Sequence, residues 1–173
     1  MSDEQYAAIY QEAIPALRVA MEVSYLCAAR QGDVRDMLWS DVIDAGLFIE
    51  QNKTGMKQIK EWSPRLRSAL QLARNALGGS GKYVITNSNG EKVTSRTINK
   101  WWDKAKKAAE QKAGTPFGCT FHDIKAKSIS DYAGSSRDKQ LFSGHKTESQ
   151  VLVYDRKVKV TPTLDAPLIE ESA

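Results

Sequence analysis

The stretch Leu47-Phe48-Ile49-Glu50-Gln51-Asn52-Lys53-Thr54-Gly55-Met56-Lys57-Gln58-Ile59-Lys60-Glu61-Trp62 reads as a β-hairpin in a chain whose other periodic segments are helical. Apolar and polar residues alternate over Leu47–Gln51. Asn52, Lys53, Thr54 and Gly55 carry turn chemistry, and Met56–Trp62 returns as a second strand. Lys53 therefore sits at the hairpin tip. A single hairpin among helices predicts a mixed α+β domain, mainly α, with a small antiparallel β-sheet.

Working back from the hairpin, Ala16–Ala29 is apolar almost all round, as expected of a buried helix, and Pro15 suits its first turn. Ser2 and Gln5 form a capping-box pattern for a short helix reaching about Ala13. A turn at Arg30 to Gly32 separates the buried helix from another that Asp33 can cap, with Val34, Met37 and Leu38 inward. Working forward, Ser63 and Pro64 open a helix that stops at Gly78 and Gly79, and Gly81–Asn89 is extended.

Thr94 or Ser95 caps a helix running to about Lys112. Its apolar side is Ile98, Trp101 or Trp102, Ala105 and Ala108; Arg96, Lys100, Lys104 and Lys107 form a cationic stripe. Past Pro116, a helix spans about His122 to Gly134, and another spans Ser136–Phe142. After the turn Ser143-Gly144-His145 a last helix runs through Tyr154, and the tail from Val158 carries Pro162 and Pro167.

The 173 residues suffice for one domain with its own core. The net charge is only +4, so the clustering of cations over Lys92–Lys112 says more about a polyanionic partner than the total does. No apolar run is long enough to span a bilayer, and the acidic, polar N-terminus is not a signal peptide. Cys27 and Cys119 are too few for a disulfide framework or a metal cluster and read as buried and reduced. There is no phosphate-binding glycine loop followed by Lys and Ser or Thr, and no His/Cys cluster at metal-ligand spacing. Neither a metal nor a cofactor is expected.

Four motifs then occur in order. They are Ala28-Ala29-Arg30-Gln31-Gly32-Asp33 leading into Leu38-Trp39-Ser40-Asp41-Val42, Lys53-Thr54-Gly55, Phe121-His122-Asp123-Ile124-Lys125, and Leu141-Phe142-Ser143-Gly144-His145-Lys146, with Tyr154 nine residues beyond His145. Each alone is common. Together, in this order, they resemble the phage-integrase family of tyrosine recombinases from about Tyr10 to Tyr154.

The resemblance implies the integrase catalytic-domain fold over residues 1–158 and a C-terminal tail, 159–173, that docks on a neighbouring protomer through Leu164, Leu168 and Ile169. It places the family's N-terminal DNA-binding domain outside this chain. It implies site-specific DNA recombination through a 3′-phosphotyrosine, without metal or ATP. Tyr154 would be the nucleophile, and Arg30 would grip two phosphate oxygens. His122 and His145 would bond the same phosphate or move the tyrosine proton, and Lys53, with Lys57 as the other candidate, would protonate the leaving 5′-oxygen. Asp33 would orient the Arg30 guanidinium.

Lys125 stands where the family pattern His-x-x-Arg has arginine. It keeps the charge but loses the two-pronged geometry. That departure leaves open a DNA-binding module of the same family with weakened cleavage; a type IB topoisomerase-like relaxation is the other alternative. Arg96, Lys100, Lys104 and Lys107 would contact the DNA backbone. The implied partners are double-stranded attachment sites, three further copies in a tetramer on DNA (a monomer without it) and accessory DNA-bending proteins. The implied location is the bacterial cytoplasm, with nucleoid association when DNA-bound. Without DNA, the Tyr154 helix is expected to stand away from the other site residues.

Overall fold

A computed structural model describes residues 1–79 and 81–154. The tail anchors Leu164, Leu168 and Ile169 lie outside the described residues. The elements run α1 (Asp3–Glu12), α2 (Pro15–Cys27), α3 (Gln31–Asp36), a short 3₁₀ turn (Trp39–Asp41), β1 (Val42–Ile43), β2 (Gly46–Glu50), β3 (Lys57–Lys60), α4 (Pro64–Leu77), α5 (Ser95–Ala113), α6 (Asp123–Asp131), α7 (Ser136–Ser143) and α8 (Glu148–Leu152).

The centre is α2. Leu17, Val19, Ala20, Met21 and Val23 are all buried, so its apolar surface is enclosed by α4, α5 and α6. Burying five such side chains contributes on the order of 1.5–3 kcal/mol for each of the larger ones. The helix ends at Ala28, a left-handed residue with φ 50°, whose N–H donates to the Ser24 carbonyl. The Ser24 hydroxyl donates to the Ala29 carbonyl at 2.8 Å, fixing the abrupt exit that delivers Arg30.

The sheet is three-stranded and antiparallel in the order β1-β2-β3, with Phe48 opposite Ile59 and Glu50 opposite Lys57. β3 is shorter than the pattern predicts. Trp62 leaves the ladder, and its indole N–H donates to the carbonyls of Ile43 and Asp44, closing the β1–β2 turn. On α5, Thr94 is the cap, accepting from the Thr97 N–H. The buried positions are Ile98, Trp102, Ala105 and Ala109. The inward tryptophan is thus Trp102, and Ala109 replaces the expected Ala108, because the helix period carries the stripe one residue on.

Three further boundaries differ from expectation. His122 precedes α6 rather than opening it, and α6 ends at Asp131. The following Tyr132 stacks on Phe142 with ring centroids 4.0 Å apart. The last helix stops at Leu152, so Tyr154 lies just beyond it. Cys27 and Cys119 are both buried and unpaired. No helix among the described residues is long and apolar enough to cross a membrane.

Candidate active site

Arg30 caps α3 from the loop left by α2. Its backbone N–H donates to Asp33 Oδ2 at 3.1 Å, while Asp33 Oδ1 accepts from the Asn52 N–H at 2.9 Å. Both carboxylate oxygens are thus engaged by backbone. Expected to orient the Arg30 guanidinium, Asp33 lies in the first turn of a six-residue helix, and its short side chain reaches back to the N–H groups of Arg30 and Asn52. Asp33 ties the Arg30 loop to the hairpin. The guanidinium is held by Gln51, whose Oε1 accepts from Arg30 Nη1 at 2.7 Å.

The hairpin tip carries Lys53, exposed to solvent. Its charge is among the causes that lower the pKa of both His122 and His145. Lys57 instead pairs with Glu50 across the ladder at 3.6 Å.

Lys125 is 1% exposed. Its Nζ donates to the Ala28 carbonyl at 2.5 Å and to the Ser143 carbonyl at 3.4 Å. Burial, helped by the Arg30 charge, lowers its pKa to about 7. Two of its three N–H bonds point at carbonyls, which leaves one for another acceptor.

His145 is 4% exposed. Its Nδ1 lies 2.6 Å from Ser143 Oγ, and the Ser143 hydroxyl donates to the Lys139 carbonyl at 2.7 Å. A serine has one O–H, so both contacts are satisfied only if His145 carries its proton on Nδ1. Nε2 is then a lone pair, buried and without a partner. Burial first, then the charges of Lys125, Arg30 and Lys53, push this imidazole down to about 4. His122 is lowered too, by partial burial of its ring and by Lys125, Arg30 and Lys53.

The Tyr154 ring stands 5.0 Å from the His145 ring and 6.0 Å from the His122 ring, centroid to centroid. The Tyr154 ring thus stands beside both histidine rings rather than away from them. Val151 anchors the segment against Ala28 and Ile129, and the Ser130 hydroxyl donates to the Tyr154 carbonyl at 2.9 Å. These contacts seat the tyrosine. Arg30, Lys125, His122, His145 and Tyr154, from four separate segments, converge on one cationic site, within the electrostatic influence of Lys53.

The phage integrase family pattern matches residues 1–159. The chain belongs to the phage integrase family. Integrase of Escherichia phage lambda is 31% identical over 167 residues, covering 89% of this chain and 46% of the relative. Integrase of Escherichia phage HK022 is 32% identical over the same length and shares. The family member described here thus spans about half the length of these curated relatives, 46% in each case. A crystal structure of lambda integrase (75–356) as a dimer bound to a COC′ core site superposes with a TM-score of 0.78 at 28% identity, covering 95% of this chain and 62% of that one. The structure of the lambda integrase catalytic core gives 0.65 at 28% identity, covering 83% of this chain and 88% of that one. The predicted integrase catalytic-domain fold is the observed one.

Within this integrase fold, Arg96, Lys100, Lys104 and Lys107 are all exposed along α5. The first three line a groove of about 650 Å³ that also exposes Ile14 and Trp101. The stripe begins beside the site: Arg35 of α3 donates to Ser95 at 2.8 Å, and Gln31, next to Arg30, donates to Asn99 at 2.7 Å.

Sequence reasoning passed over Gln51, Ser143, Gln140, Gln58 and Lys60. Gln140 Nε2 donates to the carbonyls of His145 and Lys146, at 3.1 and 2.9 Å, fixing the turn that carries the histidine. Gln58, Lys60 and Gln51 donate to the carbonyls of Leu141, Phe142 and Ser143, which a helix C-terminus leaves without helical partners. One signal was available. Leu47, Ile49 and Gln51 share the inward face of the hairpin, and a glutamine there needs polar partners.

Proposed function

We propose that this chain is the strand-cleaving and rejoining part of a site-specific DNA recombinase, with Tyr154 as nucleophile. The observation that carries the reading is the buried, unpartnered Nε2 of His145 on a ring 5.0 Å from the Tyr154 ring, inside a cluster of cations. A phenol is a weak nucleophile near neutral pH unless its proton has an acceptor as it attacks. Neutral His145, with Nδ1–H held by Ser143, supplies that acceptor.

The step balances. Tyr154 Oη bonds to phosphorus, the P–O5′ bond breaks, the phenolic proton passes to His145 Nε2, and Lys53 protonates the departing 5′-oxygen. Arg30 neutralises charge on the non-bridging oxygens, and the remaining N–H of Lys125 and the His122 ring donate hydrogen bonds to them. One phosphate ester replaces another, so a 5′-hydroxyl from a second strand reverses the reaction without ATP.

Lambda integrase is seen as a dimer on a core site and as a tetramer on a Holliday junction. By family likeness we assign to this chain duplex attachment sites, a tetramer on DNA and a monomer without it, accessory bending proteins, and action in the bacterial cytoplasm at the nucleoid. The stripe from Arg96 to Lys107 holds the DNA backbone. Residues 1–158 form the catalytic unit, and 159–173 dock on the neighbouring protomer. One observation favours a second reading, a module that binds DNA and cuts weakly: Lys125 gives two of its N–H bonds to carbonyls.

The test is a pool of nicked duplexes with a randomised core, incubated with the protein and resolved on a denaturing gel. A covalent protein–DNA band that disappears in Tyr154→Phe is expected. DNA retained without any covalent band would favour the weakly cutting module. Plasmid relaxation without recombinant products would favour the topoisomerase-like alternative.

A further inference from the structure

We infer that Gln51 is a positioning residue, one buried amide that holds the Arg30 guanidinium, the Lys53 hairpin tip and the His145 turn in register. The inference rests on the roles given above to Arg30, Lys53 and His145. Gln51 is 2% exposed, so water cannot stand in for its partners. Its Oε1 accepts from Arg30 Nη1 at 2.7 Å and from Thr54 Oγ1 at 3.1 Å. Its Nε2 donates to the Ser143 carbonyl at 2.8 Å. These partners belong to three different parts of the fold: the loop after α2, the hairpin turn, and the end of α7.

The surrounding backbone is shaped around this amide. Gly144 has φ +66°, and a Cβ there would lie 2.3 Å from Gln51 Nε2. The hairpin turn also closes on this residue, with the Thr54 and Gly55 N–H groups both donating to the Gln51 carbonyl. Lys53 therefore hangs from a turn anchored at both the side chain and the backbone of residue 51.

An amide fits this role better than a carboxylate. It accepts from Arg30 without cancelling the charge that a phosphate needs, and its N–H serves the Ser143 carbonyl, which a carboxylate would repel. Small displacements of such groups are costly, because a misplacement of about 1 Å can lower a rate about 100-fold.

The test is single-turnover cleavage of a duplex selected from the randomised pool, made with either oxygen or sulfur at the 5′-bridging position. A thiolate leaves without protonation, so a defect confined to Lys53 vanishes on the sulfur substrate. Thr54→Val removes the link from Gln51 to the hairpin tip, together with a long 3.4 Å contact from the Met56 N–H inside the same turn, and leaves Arg30 held. It should slow the oxygen substrate about 10-fold and leave the sulfur substrate within about 2-fold of wild type. Gln51→Met also releases Arg30. It should slow both substrates by about 10-fold or more, oxygen the more severely, with DNA affinity within about 3-fold.

Wild-type rates for Gln51→Met on both substrates, or an equal loss on both for Thr54→Val, would overturn the proposal. Should Gln51→Met fail to fold, Thr54→Val, which deletes a single hydroxyl, still decides the link to Lys53. Failure of the wild type to form covalent complex would sink the functional reading itself, a result distinct from a wild type that cleaves while Gln51→Met cleaves equally well.

Discussion

His145 shows how one hydroxyl settles the protonation of a reacting group. The Ser143 O–H is held by the Lys139 carbonyl, so Ser143 Oγ receives the Nδ1 proton, and Nε2 is left as a base. Nitrogen NMR at pH 7 should find Nδ1 protonated and Nε2 bare. Ser143→Ala should give a tautomer mixture and cleave about 10- to 100-fold more slowly. An Nε2-protonated ring in the wild type would sink this assignment. With its pKa near 4, His145 should also impose no acidic limb near pH 6.5 on the cleavage rate. Lys125 makes a second prediction. Its ammonium titrates near 10.5 when unfolded and near 7 when folded. Between those values the unfolded chain holds the extra proton, so this contribution to stability is complete above 10.5 and is lost as pH falls to about 7. The melting temperature of the wild type, relative to Lys125→Met, should therefore rise from pH 7 to 9.5. A constant difference would mean that the lysine is not buried as described. Neither behaviour could be read from the motifs, because both depend on groups that the fold brings close: Lys125 meets the Ala28 carbonyl across 97 positions of chain.

The end of α7 is an element finished by other elements. Its last carbonyls accept from Gln51 and Gln58, from Lys60 and from Lys125, so the negative pole of the helix faces amides and cations. Gly144 makes this possible, and a comparison of two glycines isolates its role. Gly114 ends α5 with φ +68° and open space around any added Cβ, whereas Gly144 has nearly the same φ but stands against Gln51. Gly114→Ala should cost only the left-handed backbone penalty, about 1–2 kcal/mol, and leave cleavage intact. Gly144→Ala should lower the melting temperature further and reduce cleavage by about 10-fold or more, because Gln51 must move. Equal cleavage by the two variants would show that the close approach is immaterial. The hairpin, the caps at Ser2 and Ser63, and the buried run of α2 were all legible, and the α5 cap was narrowed to Thr94 or Ser95, since capping and periodicity are local. The end of the last helix was not legible. Tyr154 is placed by Val151 packing on Ala28 and by the hydroxyl of Ser130, contacts that no local pattern announces.

At the scale of the molecule, a net charge of +4 is too small to account for the proposed DNA binding by itself, so placement would have to. From Arg96 to Lys107, α5 extends roughly 16 Å at about 1.5 Å per residue. The four cations face solvent along that length, beginning beside the Arg30 loop. Lys112, by contrast, is drawn to Glu12 at 2.6 Å and contributes less. A stripe of this kind holds phosphates without reading bases, and its signature is counterion release. Each phosphate neutralised on B-DNA changes the slope of log K against log salt by about 0.9, so replacing all four with glutamine should flatten the slope by up to about 3.6. Fluorescence anisotropy between 50 and 200 mM salt would measure it on any duplex, whatever the attachment site. Single-turnover cleavage at saturating DNA should stay within about 2-fold, because in the proposed reading the exposed α5 cations give affinity while Arg30, Lys125 and the histidines meet the reacting phosphate. An unchanged slope would place the DNA on another face, and the exposed Lys53 hairpin would then be the next element to test by substitution.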